Sequence, residues 1–226
     1  MGFLESKSKG TSRIEAFSDG VFAIAITLLV LDIHVPEVKG NESLLKALSG
    51  LWTNYLAFLI GFFTILICWI NHHVMFEYIY KADSGLLMLN GLKLLVISFT
   101  PFVTAVLSRY IGTPQQSMAV TIYAFNFLFM GTAMFFICYY ACCKEYVKEP
   151  PKRKKAFRQL YAFAAILSTS IFLVSFANTF VALILFFAMF FIFMSPKKMV
   201  GLLEKWQREN KSAHATVETL EPVQAG

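Results

Sequence analysis

The sequence predicts an all-α, polytopic membrane protein with six transmembrane helices and both termini in the cytoplasm. Three observations carry that prediction. Of 226 residues, 57% are hydrophobic and only 15% are charged, with 24 phenylalanines. A soluble domain of this size has no interior large enough to hide so much apolar surface, whereas a bilayer requires no hiding. The apolar residues fall into runs that approach or exceed the ~20 residues needed to cross the hydrocarbon core. The lysines and arginines, finally, divide unequally between the two sides of a six-span layout.

Taken in order, the runs place spans at about 14–34, 51–76, 85–109, 117–142, 157–176 and 178–195. The first opens with a capping box, Ser12 at the N-cap and Glu15 at the third helical position. Its apolar stretch is too long, and lacks the small-residue site, for a cleavable signal peptide. The second span ends in Trp69, Asn71, His72 and His73, and the third carries Asn90, Lys93 and Pro101. Residues 143–156 form a polar linker whose Pro150-Pro151 pair stops the fourth helix. Only the turn around Ala177 and Asn178 separates the last two runs, which read as two spans or as a re-entrant hairpin. The domain plan is a cytoplasmic N-terminus (1–11), a six-helix transmembrane domain (12–196) and a cytoplasmic tail (197–226). A short surface helix over 197–211 and disorder from about Ser212 are expected in that tail.

Sixteen of the twenty lysines and arginines lie on the side that holds both termini. Lys39, Lys46 and Arg109 lie opposite, and Lys93 lies within a span. A five-span layout would separate the basic tail from the basic loop, so six spans fit the charge asymmetry better. The net charge of +6 therefore calls for no nucleic-acid partner. The basic run 152–155 with Arg158 is instead placed to meet anionic lipid at the cytoplasmic leaflet. Cys68, Cys138, Cys142 and Cys143 lack zinc-site spacing and read as small apolar residues. Asn41-Glu42-Ser43 matches a glycosylation triplet, a pattern that also arises by chance.

Asp19 lies about two turns inside the first helix, where an ionised carboxylate costs several kcal/mol unless partnered. Asn71, His72, His73, Asn90 and Lys93 fall at a similar depth, which suggests one polar network joining helices one, two and three. Three roles are open to it: a packing network, a proton path through His72, His73 and Asp19, or a metal site. His73 and Glu77 have i, i+4 spacing but no evident third ligand. No nucleophile motif such as G-x-S-x-G is present, and no enzyme activity or cofactor is expected. With Ile24 set at 0° on a helical wheel, Thr27, Leu28, Leu31 and Phe17 fall within about 60° of it, and Asp19 lies at about 220°. On pattern alone this aliphatic stripe is ordinary lipid or helix contact.

Residues 13–33, RIEAFSDGVFAIAITLLVLDI, resemble the first-helix signature of the transmembrane protein 175 family of potassium channels, the lysosomal channel family and its bacterial relatives. Arg13, Phe17, Ser18 and Asp19 meet its R-x-x-x-F-S-D pattern. The resemblance covers about residues 10–200 and implies a first helix lining the pore. It further implies that Ile24, Leu28 and Leu31 form the constriction, with Thr27 as the selectivity candidate. Trp69, Asn71 and His72 are the implied partners of the F-S-D residues. A single six-span repeat implies a homotetramer of the bacterial kind in the cell membrane, with potassium as permeant ion. No T-V-G-Y-G filter is present, so a hydrophobic neck that favours the more easily dehydrated potassium would act in its place. Asp32 and Glu15 are candidates for concentrating cations at the two mouths. A proton-conducting channel, or a secondary carrier using the Asp19/His72 network, is the alternative. A carrier would need a broken helix, and Pro101 is the candidate break.

Overall fold

The structure, a computed structural model, describes residues 9–38, 40 and 43–220. Its helices are α1 Lys9–Leu28, continued by a 3₁₀ turn Leu29–Asp32, then α2 Leu44–Ser49, α3 Trp52–Tyr78, α4 Ser84–Tyr110, α5 Gln116–Cys143, α6 Pro151–Ala177, α7 Thr179–Phe193 and α8 Pro196–Leu220. Among the described residues there is no strand, only an isolated antiparallel bridge between Ile79 and Val147. Five helices are long and apolar enough to cross a membrane: α1 with its 3₁₀ turn, α3, α4, α5 and α6. The fold is all-α, as expected.

The ends of these helices follow local chemistry. Asp83 caps α4 by accepting from the Leu86 amide at 2.9 Å, and the Tyr140 and Tyr146 hydroxyls donate to its other oxygen at 2.8 and 3.0 Å. These bonds, the backbone one foremost, hold the Asp83 carboxyl below its ordinary pKa. Asn178 closes α6 by donating to Val174 O and opens α7 by accepting from the Phe180 and Val181 amides. At Gly112 a φ of 77° turns the chain between α4 and α5, a conformation that costs glycine little. α1 departs from expectation. It is already helical at Lys9, so Ser12 lies inside the helix and the capping box does not form. Packing holds that first turn instead, since Thr11 is completely buried.

The last expected span also needs adjusting. α7 has 15 residues, about 22 Å at 1.5 Å per residue, which is short for a ~30 Å hydrocarbon core. Its two ends are held by different helices. Thr179 bonds Ser117 at the start of α5, and the carbonyl of Phe193 accepts from Asn71 near the end of α3. Pro196 then opens α8, which turns away by 83°. α8 extends through Leu220, past Ser212 where disorder was expected, because Ala213, Ala215, Glu218 and Leu220 favour helix. Asn41 and Glu42 of the glycosylation triplet lie outside the described residues.

Close approach positions the first helix. A Cβ on Gly61 of α3 would lie 2.8 Å from Thr104 Oγ1 of α4 and 3.0 Å from Leu29 Cδ2, so three segments meet where only hydrogen fits. α1 packs on α3 and α4 through Ile14, Phe22, Ala25 and Leu29 and stands at the edge of the bundle. Deeper polar groups pair across helices: Thr64 with Tyr123 at 2.9 Å, Asn126 with Thr100 at 3.1 Å and Ser175 with Thr121 at 3.1 Å. α4 runs unbroken through Pro101. The four cysteines are free thiols.

Candidate functional site: the first helix and its anchor

The face of α1 turned to the bundle consists of Ile14, Ser18, Phe22, Ala25 and Leu29, about 80–160° round the wheel from Ile24. Ile24, Leu31 and Phe17 are 61%, 67% and 67% exposed in the single chain. Leu28 and Thr27 are exposed beside them, so the whole stripe is left uncovered by the described residues of the chain. Leu31 lies in the 3₁₀ turn rather than on the α-helix. Residues three apart eclipse in a 3₁₀ turn, so the tightening stacks Leu31 over Leu28 and keeps it on the stripe. The Thr27 hydroxyl donates within its own helix, with the Ala23 and Ile24 carbonyls both at 2.9 Å.

On the other side, α1 is pinned by its polar residues. Asp19 Oδ1 accepts from Trp69 Nε1 at 2.8 Å, and Ser18 Oγ accepts from Asn90 Nδ2 at 3.0 Å. Ser18 and Asn90 are buried, whereas Asp19 lies at the exposed margin. Trp69 stacks on His73 with ring centres 5.7 Å apart, and His73 Nε2 lies 3.5 Å from Glu77 Oε1.

The family model for the endosomal/lysosomal potassium channel TMEM175 matches residues 13–101, the segment that contains α3 and most of α1 and α4. A crystal structure of a lysosomal potassium-selective channel TMEM175 homologue from Chamaesiphon minutus superposes with a TM-score of 0.75 at 38% identity, over 83% of this chain and 97% of that one. The chain belongs to the TMEM175 family. A potassium channel of Chamaesiphon minutus is 51% identical over 120 residues, 52% of this chain and 59% of that protein. The endosomal/lysosomal proton channel TMEM175 of Gallus gallus is 38% identical over 149 residues, 58% of this chain and 30% of that protein. The chain thus spans a little over half the length of the first relative and under a third of the second.

Within this TMEM175 member the anchor divides in two, which the sequence did not reveal. Asp19, Ser18, Trp69 and Asn90 form one part. His72 belongs to the other: its Nδ1 lies 2.6 Å from Lys93 Nζ, both residues buried and boxed by Phe22 and Phe76. The other ring nitrogen of His72, Nε2, meets no partner among the described residues. Lys93 was legible as a misplaced charge, but its pairing was not, because His72 and Lys93 are separated by 21 residues and a turn.

Asn71 departs from the expected set. It donates to Ile67 O and Phe193 O, both at 2.8 Å, so it ties α3 to α7 rather than to Asp19. The cause is rotational: Asn71 lies one residue from His72 and so about 100° round the helix, facing α7. Arg13 is exposed at the rim of a groove of about 480 Å³ between α1 and α4, which Phe17, Leu87 and Asn90 also line. Asp32 borders a cleft of about 640 Å³ with His34 and Arg109 at the far end of the bundle, and Glu15 is half-buried at the near end. His73 and Glu77 acquire a cation rather than a metal, since Lys197 Nζ of α8 lies 2.6 Å from Glu77 Oε2. That bond raises the Lys197 pKa above its ordinary value. No group of three or more His, Cys, Asp or Glu able to hold a metal occurs among the described residues.

Proposed function

We propose that the protein is a potassium-preferring cation channel in which α1 lines the pore. The observation that carries this is the division of labour on α1: one edge is bonded to α3 and α4 through Ser18 and Asp19, and an uncharged aliphatic face is left uncovered by the described residues of the chain. Family membership supports the same reading. Four copies arranged about an axis would bring their Ile24, Leu28 and Leu31 side chains together. A ring of Ile24 narrow enough to dewet blocks ions when tight and passes a partly dehydrated cation when widened. Potassium sheds water more readily than sodium, so this neck favours it modestly. Thr27, whose hydrogen is committed to its own helix, offers lone pairs that ease the remaining dehydration. Asp32 and Glu15 concentrate cations at the two mouths, and both termini face the cytoplasm of a bacterial cell.

The test is a planar bilayer with potassium on one side and sodium on the other. Unitary currents reversing toward the potassium equilibrium potential are expected. Saturating flux without unitary steps would point to a carrier instead.

A second reading, proton conduction, rests on the buried Lys93–His72 pair and on the proton-channel relative from Gallus gallus. Proton flux into vesicles under a pH gradient, with potassium absent and Lys93→Met as the comparison, separates the two.

A further inference from the structure

We propose that α8 is an interfacial arm whose outer face seats on the anionic cytoplasmic leaflet and is tied to the pore helix through a chain of side-chain contacts along α3. The seating follows from the pattern of α8 alone; the consequence for conduction rests on the channel reading above.

α8 has two faces. Val200 and Gln207 are buried, Met199 and Leu203 pack beside them, and Gln207 Nε2 donates to Gln159 Oε1 of α6 at 2.7 Å. About half a turn away lie Lys198, Leu202, Lys205, Trp206 and Glu209, all exposed. Leu202 and Trp206 are 60% and 55% exposed, an i, i+4 pair of large apolar side chains left open by the described residues. A tryptophan and a leucine flanked by lysines are the composition of an interfacial helix, with the ring at headgroup level and the ammonium groups beside the phosphates. Glu209 sits only 3.8 Å from Lys205 and offsets part of that charge.

Two placements of α8 select a membrane over a soluble partner. α8 follows the apolar α7 after a two-residue break and turns by 83°, so it leaves the bundle nearly in the plane of the bilayer. Glu204 lies 3.6 Å from Arg153, which sets α8 beside the start of α6, where Lys152, Lys155 and Arg158 are exposed. The two basic segments therefore form one surface of the sign that attracts anionic lipid, at about fivefold per cation near the headgroups.

The same helix reaches α1 through four successive contacts. Lys197 Nζ lies 2.6 Å from Glu77 Oε2, and Glu77 Oε1 lies 3.5 Å from His73 Nε2. His73 stacks on Trp69, and Trp69 donates to Asp19 at 2.8 Å. Seating α8 holds Lys197 in place, Lys197 holds Glu77, and the position of Trp69 sets that of the first helix. Adjacency does not establish coupling, so the test measures it.

The whole protein is reconstituted in phosphatidylcholine vesicles with and without phosphatidylglycerol, and in matched vesicles carrying brominated acyl chains. Trp206 is read as the fluorescence difference between the native protein and Trp206→Phe. The expected result is quenching by brominated lipid, stronger with phosphatidylglycerol, and protection from aqueous iodide. Quenching of Trp206 by iodide and not by brominated lipid would overturn the seating and leave the face to water or a soluble partner. Potassium flux is then compared across the two lipid compositions. Flux that rises with phosphatidylglycerol in the native protein, and loses that dependence in Glu77→Gln while Trp206 quenching persists, supports the tie to α1. An unchanged dependence in Glu77→Gln would overturn it. Absence of flux in every lipid would count against the channel reading and leave the quenching result standing.

Discussion

At the scale of single residues, function depends on which side of α1 each side chain occupies. Ile24 is the most informative. Ile24→Asn places an amide in the proposed neck, where it would lower the cost of hydration; bilayer recordings are expected to show larger current and weaker potassium preference. Unchanged current and selectivity would remove Ile24 from the pore. Lys93 and His72 are informative for the opposite reason, being buried and remote from the stripe. A buried amine that loses its hydrogen-bond partner keeps its desolvation cost without the bond that offset it. His72→Phe should therefore cost about 2 kcal/mol or more, read as a lower melting temperature in detergent. Adding Lys93→Met should recover most of that loss, because the double change leaves no unpaired buried polar group. A double variant as unstable as the single one would mean that the pair contributes by packing alone.

Elements are held by caps and crossings as much as by apolar contact. Asp83 begins α4 and gathers Tyr140 and Tyr146 from α5 and the following loop, which makes it the fastener of one end of the bundle. Its pKa is depressed in the folded state, so it contributes stability above the ordinary carboxylate value of 3.8, and that contribution is lost as pH falls through the folded value. The melting temperature of the native protein should thus drop below about pH 4 more steeply than that of Asp83→Asn, which has no such charge to lose. Parallel acid limbs for the two proteins would assign the acid sensitivity to other carboxylates.

For the molecule as a whole, the proposed pore needs more than one chain. α1 stands at the edge of its bundle, so a closed ring of α1 helices requires further copies. Four chains of 25.6 kDa each are expected by light scattering after subtraction of detergent. A monomer at every protein concentration would leave the stripe facing lipid and would sink the pore assignment.

Much of this was legible in the sequence because the determining physics is local. Runs of apolar residues near twenty long are forced to be helices in lipid, where every backbone polar group must bond within its own segment. The R-x-x-x-F-S-D pattern marked α1, and the misplaced polarity of Asp19, Asn90 and Lys93 announced an anchor before any partner was known. Partner choice was another matter. Whether Asn71 turns to Asp19 or to Phe193, and whether His72 meets Asp19 or Lys93, depends on how three helices are rotated about their axes, and a rotation of about 100° exchanges one neighbour for the next. The start of α1 before Ser12 and the tie from Lys197 to Glu77 were likewise hidden. Both arise from contacts between segments distant in the chain, and only tertiary packing decides those.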